Sequence, residues 1–234
     1  VLVTTDALRQ RFLEFNPNIS VLAHALDERL LVQSGVPPGG SPFGPRKKII
    51  GYMGTLTHDN DLMMILPALQ GVCERHRAVE LQIIGAIGQH ATMEALRELP
   101  IRFVGPNPEE AAYPLFMLWF TSRIRWDIGI SPLEDNLLNR CKSDIKFLDY
   151  SAIGAAGIYS LGPAYESTVQ HAKTGLLVEN SISAWEEALE TCLTDDGLRI
   201  QLAGNAARNL HDCRILAHSA HRWHSTLEEL VTGV

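Results

Sequence analysis

From Lys47 onward the chain alternates between short apolar runs and stretches whose apolar residues recur every three or four positions. The runs at 48–53, 79–84, 101–104, 126–130, 157–161 and 174–178 read as strands, most of them closed by Gly, Pro or Ser. The stretch 60–75 reads as a helix with Leu62, Ile65, Leu66, Leu69 and Val72 on one face. Helices are also predicted over 92–99, within 142–154, over 184–193 and along 197–230, and 109–122 is mixed. Before this alternation, 1–5 and 21–25 are extended, with Asp6 placed to cap a short helix over 7–15. Between the two parts, 32–46 carries Gly-Val-Pro-Pro-Gly-Gly-Ser-Pro-Phe-Gly-Pro, which cannot form regular structure and reads as a linker.

Strands separated by helices imply right-handed βαβ units and an α/β, doubly wound parallel sheet. Ligands in such sheets bind beyond the carboxyl ends of the strands, where the strand order reverses. For a sheet whose first strand is 48–53, the reversal falls between its first and fourth strands. That singles out two loops, 54–59 and 131–146.

Composition narrows the field. The 234 residues are 46% hydrophobic and 20% charged, with mean hydropathy near zero, ordinary for a folded globular chain. Lys and Arg number 20 against 27 Asp and Glu, a net charge of −7, and no basic run is present. Broad nucleic-acid binding is therefore not expected, and single cations must do any anion binding. The longest uncharged apolar run, 113–120, is far too short for a membrane span, and no signal-peptide pattern stands at the start. Cys73, Cys141, Cys192 and Cys213 make no CxxC and read as reduced thiols in a cytosolic compartment.

The second loop carries most of the candidate chemistry. Ser143 or Asp144 is placed to cap a helix running to Ile153. The open first-turn amides of such a helix form an anion site. Lys142, Lys146 and Asp149 fall on one face of it, while Ile145, Leu148 and Ala152 fall on another and would pack on the sheet. Two cations at an amide cluster with a carboxylate one turn deeper suit a nucleoside diphosphate. A solvated charged helix face has the same composition. Asp59-Asn60-Asp61 fits a metal-holding DxD, but two acids ahead of Leu62 and Ile65 are better read as a helix start. His211, Cys213, His218, His221 and His224 lack a second Cys pair and read as surface residues rather than a zinc site. Trp119, Phe120 and Trp126 read as core. No GxGxxG follows the first strand, which argues against a Rossmann oxidoreductase.

The run Asn139-Arg140-Cys141-Lys142-Ser143-Asp144-Ile145-Lys146-Phe147-Leu148-Asp149-Tyr150, followed by Gly154 and Ile158-Tyr159-Ser160, resembles the donor-site region of GT-B glycosyltransferases, and more narrowly of the retaining family 4. Ile50-Gly51-Tyr52-Met53-Gly54-Thr55 upstream, and Tyr165, Val169, Thr174-Gly175-Leu176-Leu177-Val178 and Trp185 downstream, match in order and spacing. The resemblance implies a Rossmann-like donor domain for a nucleotide-diphospho-sugar. Asp149 would grip ribose, and Lys142, Ser143 and the amides near Ile145 and Lys146 would meet the diphosphate. Gly54, Thr55 and His58 would lie over the phosphates, and the segment at Gly105 and Pro106 would line the base. Residues 1–45 would be a remnant of the acceptor-binding N-terminal lobe with its linker, and 46–234 the donor domain.

Two positions depart from the family pattern. Its E-x7-E pair falls on Cys141 and Asp149, and its Arg and Lys after the first strand are replaced by Thr55-Leu56-Thr57-His58, leaving Lys142 and Lys146 to supply the charge. The implied function is transfer of a sugar, with retention, from a nucleotide-sugar to the hydroxyl of a glycan or lipid-linked acceptor, in cytoplasmic polysaccharide biosynthesis at or near the inner membrane face. No metal or other cofactor is expected, and no catalytic residue is assigned. This chain would bind donor yet need the missing lobe, or a second chain, for turnover. The alternative is a non-catalytic nucleotide-binding or interaction module of a larger assembly.

Overall fold

A computed structural model describes residues 1–32, 47–85 and 87–232, so the stretch read as a linker lies outside the described residues except for Val32. The elements are β1 (Leu2–Val3), α1 (Asp6–Phe12), β2 (Ser20–Val21), β3 (Lys48–Gly54), α2 (Asp59–Met64), α3 (Leu66–Arg75), β4 (Val79–Gly85), α4 (His90–Leu96), β5 (Ile101–Val104), α5 (Leu115–Arg123), β6 (Ile128–Ser131), α6 (Leu137–Arg140), α7 (Ile145–Ala152), β7 (Ala156–Ser160), β8 (Leu176–Val178), α8 (Ile182–Thr194), α9 (Asp196–Cys213) and α10 (Leu216–Thr232).

Among the described residues, six strands form one sheet in the order β5-β4-β3-β6-β7-β8, every neighbour parallel. The order reverses between β3 and β6, as the alternation predicts. Alternate residues of each strand feed two cores. Ile50, Tyr52, Ile83 and Ile130 pack with Leu62, Leu69 and Trp185 under α2, α3 and α8. Ile49, Met53, Ile84 and Tyr159 face Phe120, Trp126, Phe147 and Leu148 under α5 and α7. Covered on both faces, β6 and β7 are buried along their whole length, which is why they read as continuous apolar runs. Trp119, Phe120 and Trp126 are core, and a Cβ at Gly51 would fall inside the Trp126 ring. Gly85 closes β4 at φ +109°, a conformation L side chains rarely adopt, with the Gly54 carbonyl where its Cβ would be.

β1 and β2 make a separate parallel pair joined by α1. Thr5, not Asp6, caps α1: its hydroxyl accepts from the Leu8 amide at 3.1 Å, and the helix stops at Phe12. The segment after β2 is held by the main body. Leu26 and Leu30 are buried beside Met117 and Phe120, and the Thr121 hydroxyl donates to the Leu30 carbonyl.

Two predicted helices are broken. The stretch 60–75 restarts after Ile65, because Pro67 has no amide to continue the first helix and sits well in the first turn of a second. The stretch 197–230 divides at Arg214 and Ile215. There Leu26 donates to the Arg214 carbonyl at 2.9 Å and accepts from Leu216 at 2.7 Å, a pairing between distant parts of the chain. No helix among the described residues is long and apolar enough to cross a membrane.

Candidate functional site

The carboxyl ends of β3 and β6 open into a cleft. One wall is Tyr52, Met53 and His58; the floor is Ser131, Pro132 and Leu133; the other wall is Lys142, Ser143, Ile145 and Lys146, with Tyr165 behind. Five of the ten predicted residues, His58, Lys142, Ser143, Ile145 and Lys146, thus meet at the strand reversal. Gly54 and Thr55 stand at the end of β3, next to this wall. Asp149 lies one turn into α7 and is buried, with its carboxylate 3.6 Å from the Lys146 ammonium. Gly105 and Pro106 follow β5, at the sheet's edge, and do not line the cleft.

The cations cluster here. The Lys142 Nζ is 3.2 Å from both ring nitrogens of His58. Burial pushes the Lys142 ammonium below its usual range, the charge of Lys146 acts the same way, and Asp61 opposes them. His58 is oriented by Asp61, whose Oδ2 lies 2.7 Å from the imidazole Nδ1. Burial pushes the Asp149 carboxyl upward, against the pull of Lys146. Asp144 is the N-cap residue of α7, but its side chain makes no capping bond, contrary to the expectation for Ser143 or Asp144. The first-turn amides of α7 therefore have no side-chain acceptor at the cap. Ile145 and Ala152 are partly buried beside fully buried Leu148, as expected for the sheet-facing side.

Asp59 and Asp61 lie in the first turn of α2, as the helix-start reading expects, but neither is its cap residue. Asp59 is buried and accepts from the Gly88 and Gln89 amides, the latter at 2.6 Å. Asp61 accepts from the Glu134 amide at 2.7 Å and the Asn139 side chain at 2.8 Å. Each fixes a different loop at the mouth of the sheet, and the cap position of α2 belongs to His58. His218, His221 and His224 lie exposed on α10. Among the described residues, no group of three or more His, Cys, Asp or Glu is arranged to hold a metal.

Ser131 opens the loop singled out at the strand reversal, whereas Tyr52 and Tyr165, which stand in the runs that carry the resemblance, had no assigned role in the site. Ser131 Oγ and Tyr165 Oη are 2.5 Å apart, a contact across 34 positions with no local signal. The pairing of His58 with Asp61, three positions apart at a helix start, was legible in principle.

No protein-family model and no curated protein matches the sequence. Solved structures match its fold. A glycosyltransferase from Rickettsia africae superposes with TM-score 0.74 at 16% identity, covering 100% of this chain and 64% of that one. HepE from Anabaena, in complex with UDP and glucose, superposes at 0.71 and 13% identity, covering 97% and 62%. The chain has the GT-B fold. The C-terminal domain of a group 1 glycosyl transferase, LpcC from Francisella tularensis, aligns over all of its own length and 82% of this chain, with TM-score 0.61 and 16% identity. The chain spans less than two thirds of the length of the Rickettsia and Anabaena proteins.

Proposed function

We propose that this chain is the donor-binding part of a glycosyltransferase that moves a sugar, with retention, from a nucleotide-diphospho-sugar to an acceptor hydroxyl. The observation that carries the reading is the cleft at the β3/β6 reversal, where Lys142, Lys146 and His58 converge on the uncapped start of α7. Amides and cations so placed meet a diphosphate without a resident metal and stabilise it as a leaving group. Asp149 takes the ribose hydroxyls. The neighbouring polar hollow, which shares Leu133 and Tyr165 with the cleft and adds Glu134, Asn139, Arg140 and Asn180, is where the sugar would enter. Bound UDP in HepE supports the ligand class.

In this reading 1–45 belongs to an acceptor lobe, and glycan or lipid-linked acceptors reach the donor from that side, in cytoplasmic polysaccharide synthesis. Transfer then requires the rest of that lobe. A second reading, a nucleotide-binding module without turnover, is favoured by Cys141 standing where the family has the first acid of its pair. Amide NMR with added UDP tests the site itself. Shifts concentrated at 54–58 and 143–146 support it. Shifts at the opposite end of the sheet, around Gln70, Arg77 and Pro100, contradict it. A radiolabelled transfer assay, on this chain and on one carrying an upstream α/β lobe, separates the two readings.

A further inference from the structure

The residue at the cap of α7 is a carboxylate, and a carboxylate is the wrong group to leave loose beside a diphosphate. It would occupy the helix amides and repel the anion. The Asp144 side chain does neither. It turns away from the donor cleft into a second cleft lined by Thr5, Thr168 and Arg214. There Arg214 grips both of its oxygens, Nη1 to Oδ2 at 2.6 Å and Nη2 to Oδ1 at 3.0 Å, and the Thr168 hydroxyl donates to Oδ2 at 2.7 Å. Both partners are largely buried, with side-chain exposures of 15% and 10%. Arg214 is itself fixed, donating to the His24 carbonyl at 3.0 Å and bonded through its own carbonyl to Leu26. It sits at the break between α9 and α10, which no local sequence feature explains.

We propose that Arg214 is a positioning residue of the donor site. Its bidentate grip holds the Asp144 carboxylate off the α7 amides and balances its charge, so that the amides and Lys146 meet a diphosphate unopposed. The inference rests on the donor-site reading given above.

The test is a calorimetric cycle on the 234-residue chain, using whichever of UDP, GDP and ADP binds tightest, against the matching nucleoside. Arg214→Gln should weaken the diphosphate about tenfold or more and the nucleoside by less than about threefold. Adding Asp144→Asn to that variant removes the unbalanced charge, and should return diphosphate affinity to within about threefold of the unmodified chain. Thermal unfolding of all three forms accompanies the titrations, because a merely structural Arg214 would lower stability without the selective loss or the rescue. An Arg214→Gln chain that binds diphosphate normally, or loses nucleoside equally, or a double variant as weak as the single one, overturns the role. Failure of the unmodified chain to bind any of the three diphosphates overturns the donor-site reading, and the role of Arg214 with it.

Discussion

The Lys146 ammonium lies 3.6 Å from the Asp149 carboxylate across one turn of α7. That is an ion pair longer than an ordinary hydrogen bond. Lys146 lines the β3/β6 cleft, while Asp149 is buried behind it. The pair thus sets a cleft-facing cation in front of a buried carboxylate.

Replacing Lys146 by Ala is expected to weaken nucleoside diphosphate binding about tenfold or more, the scale of one charge-assisted contact, and to leave nucleoside binding nearly unchanged. Parallel titrations with a nucleoside and its diphosphate check this, and equal losses for both would remove Lys146 from the phosphate site.

Asp149 makes a prediction in pH. Burial raises its carboxyl above the ordinary 3.8, and Lys146 only partly offsets this. A carboxyl raised on folding favours the fold at pH below its unfolded value, and that contribution is lost as pH rises through the folded value. At neutral pH the buried carboxylate therefore costs stability. Asp149→Asn should melt higher than the unmodified chain at pH 7, with the gap closing as pH falls toward 4. The same variant should bind nucleoside and diphosphate both about ten- to a hundredfold more weakly. Melting curves across that range, paired with titrations, read both effects, and a variant that is less stable at pH 7 contradicts the first.

Asp59 should behave as a loop anchor. Its carboxylate accepts from two consecutive amides, so Asp59→Asn is expected to cost roughly 1–3 kcal/mol of stability while donor affinity moves by less than about twofold. Donor binding should also be the same in EDTA. Binding lost on chelation and restored by magnesium or manganese would assign the acids of this stretch to a metal instead.

Asp196 links the start of β3 to the start of α9, accepting from Lys48 and from buried Arg199, each at 2.6 Å. Those hydrogen bonds hold its carboxyl down at about 2. A depressed carboxyl stabilises above its unfolded value and ceases to as pH falls through the folded one. Because the side chain is well exposed, Asp196→Asn should cost only on the order of 0.5–1 kcal/mol at pH 7. The difference from the unmodified chain should vanish between pH 4 and 2. A difference that persists at pH 2 in urea titrations would point to packing instead.

Most of the fold was legible because its inner strands β6 and β7 are buried along their whole length and most strands end in small residues. The run from Ile49 to Gly54 and the helical spacing of Leu62, Leu69 and Val72 each report a local environment, and local environments leave periodic traces. The strand reversal followed from strand order, and with it the place of His58, Lys142 and Lys146. What escaped notice is what depends on distant partners. Asp144 looked like a cap because its competitor, Arg214, lies 70 positions away. The divide between α9 and α10 is drawn by Leu26, and Asp59 and Asp61 are spent on the loops at Gly88 and Glu134. Gly105 and Pro106 are a different case: they end an edge strand, two strands removed from the cleft.

The role proposed for the start of α7 and its lysines is recognition of a diphosphate at the β3/β6 cleft. Calorimetric titration of the 234-residue chain with UDP-, GDP- and ADP-sugars, repeated on a Lys142→Ala/Lys146→Ala chain of matched thermal stability, tests it most directly. Saturable one-to-one binding of one nucleotide class, lost in the double variant, is the expected result. No binding of any class, or binding that survives loss of both lysines, would contradict it.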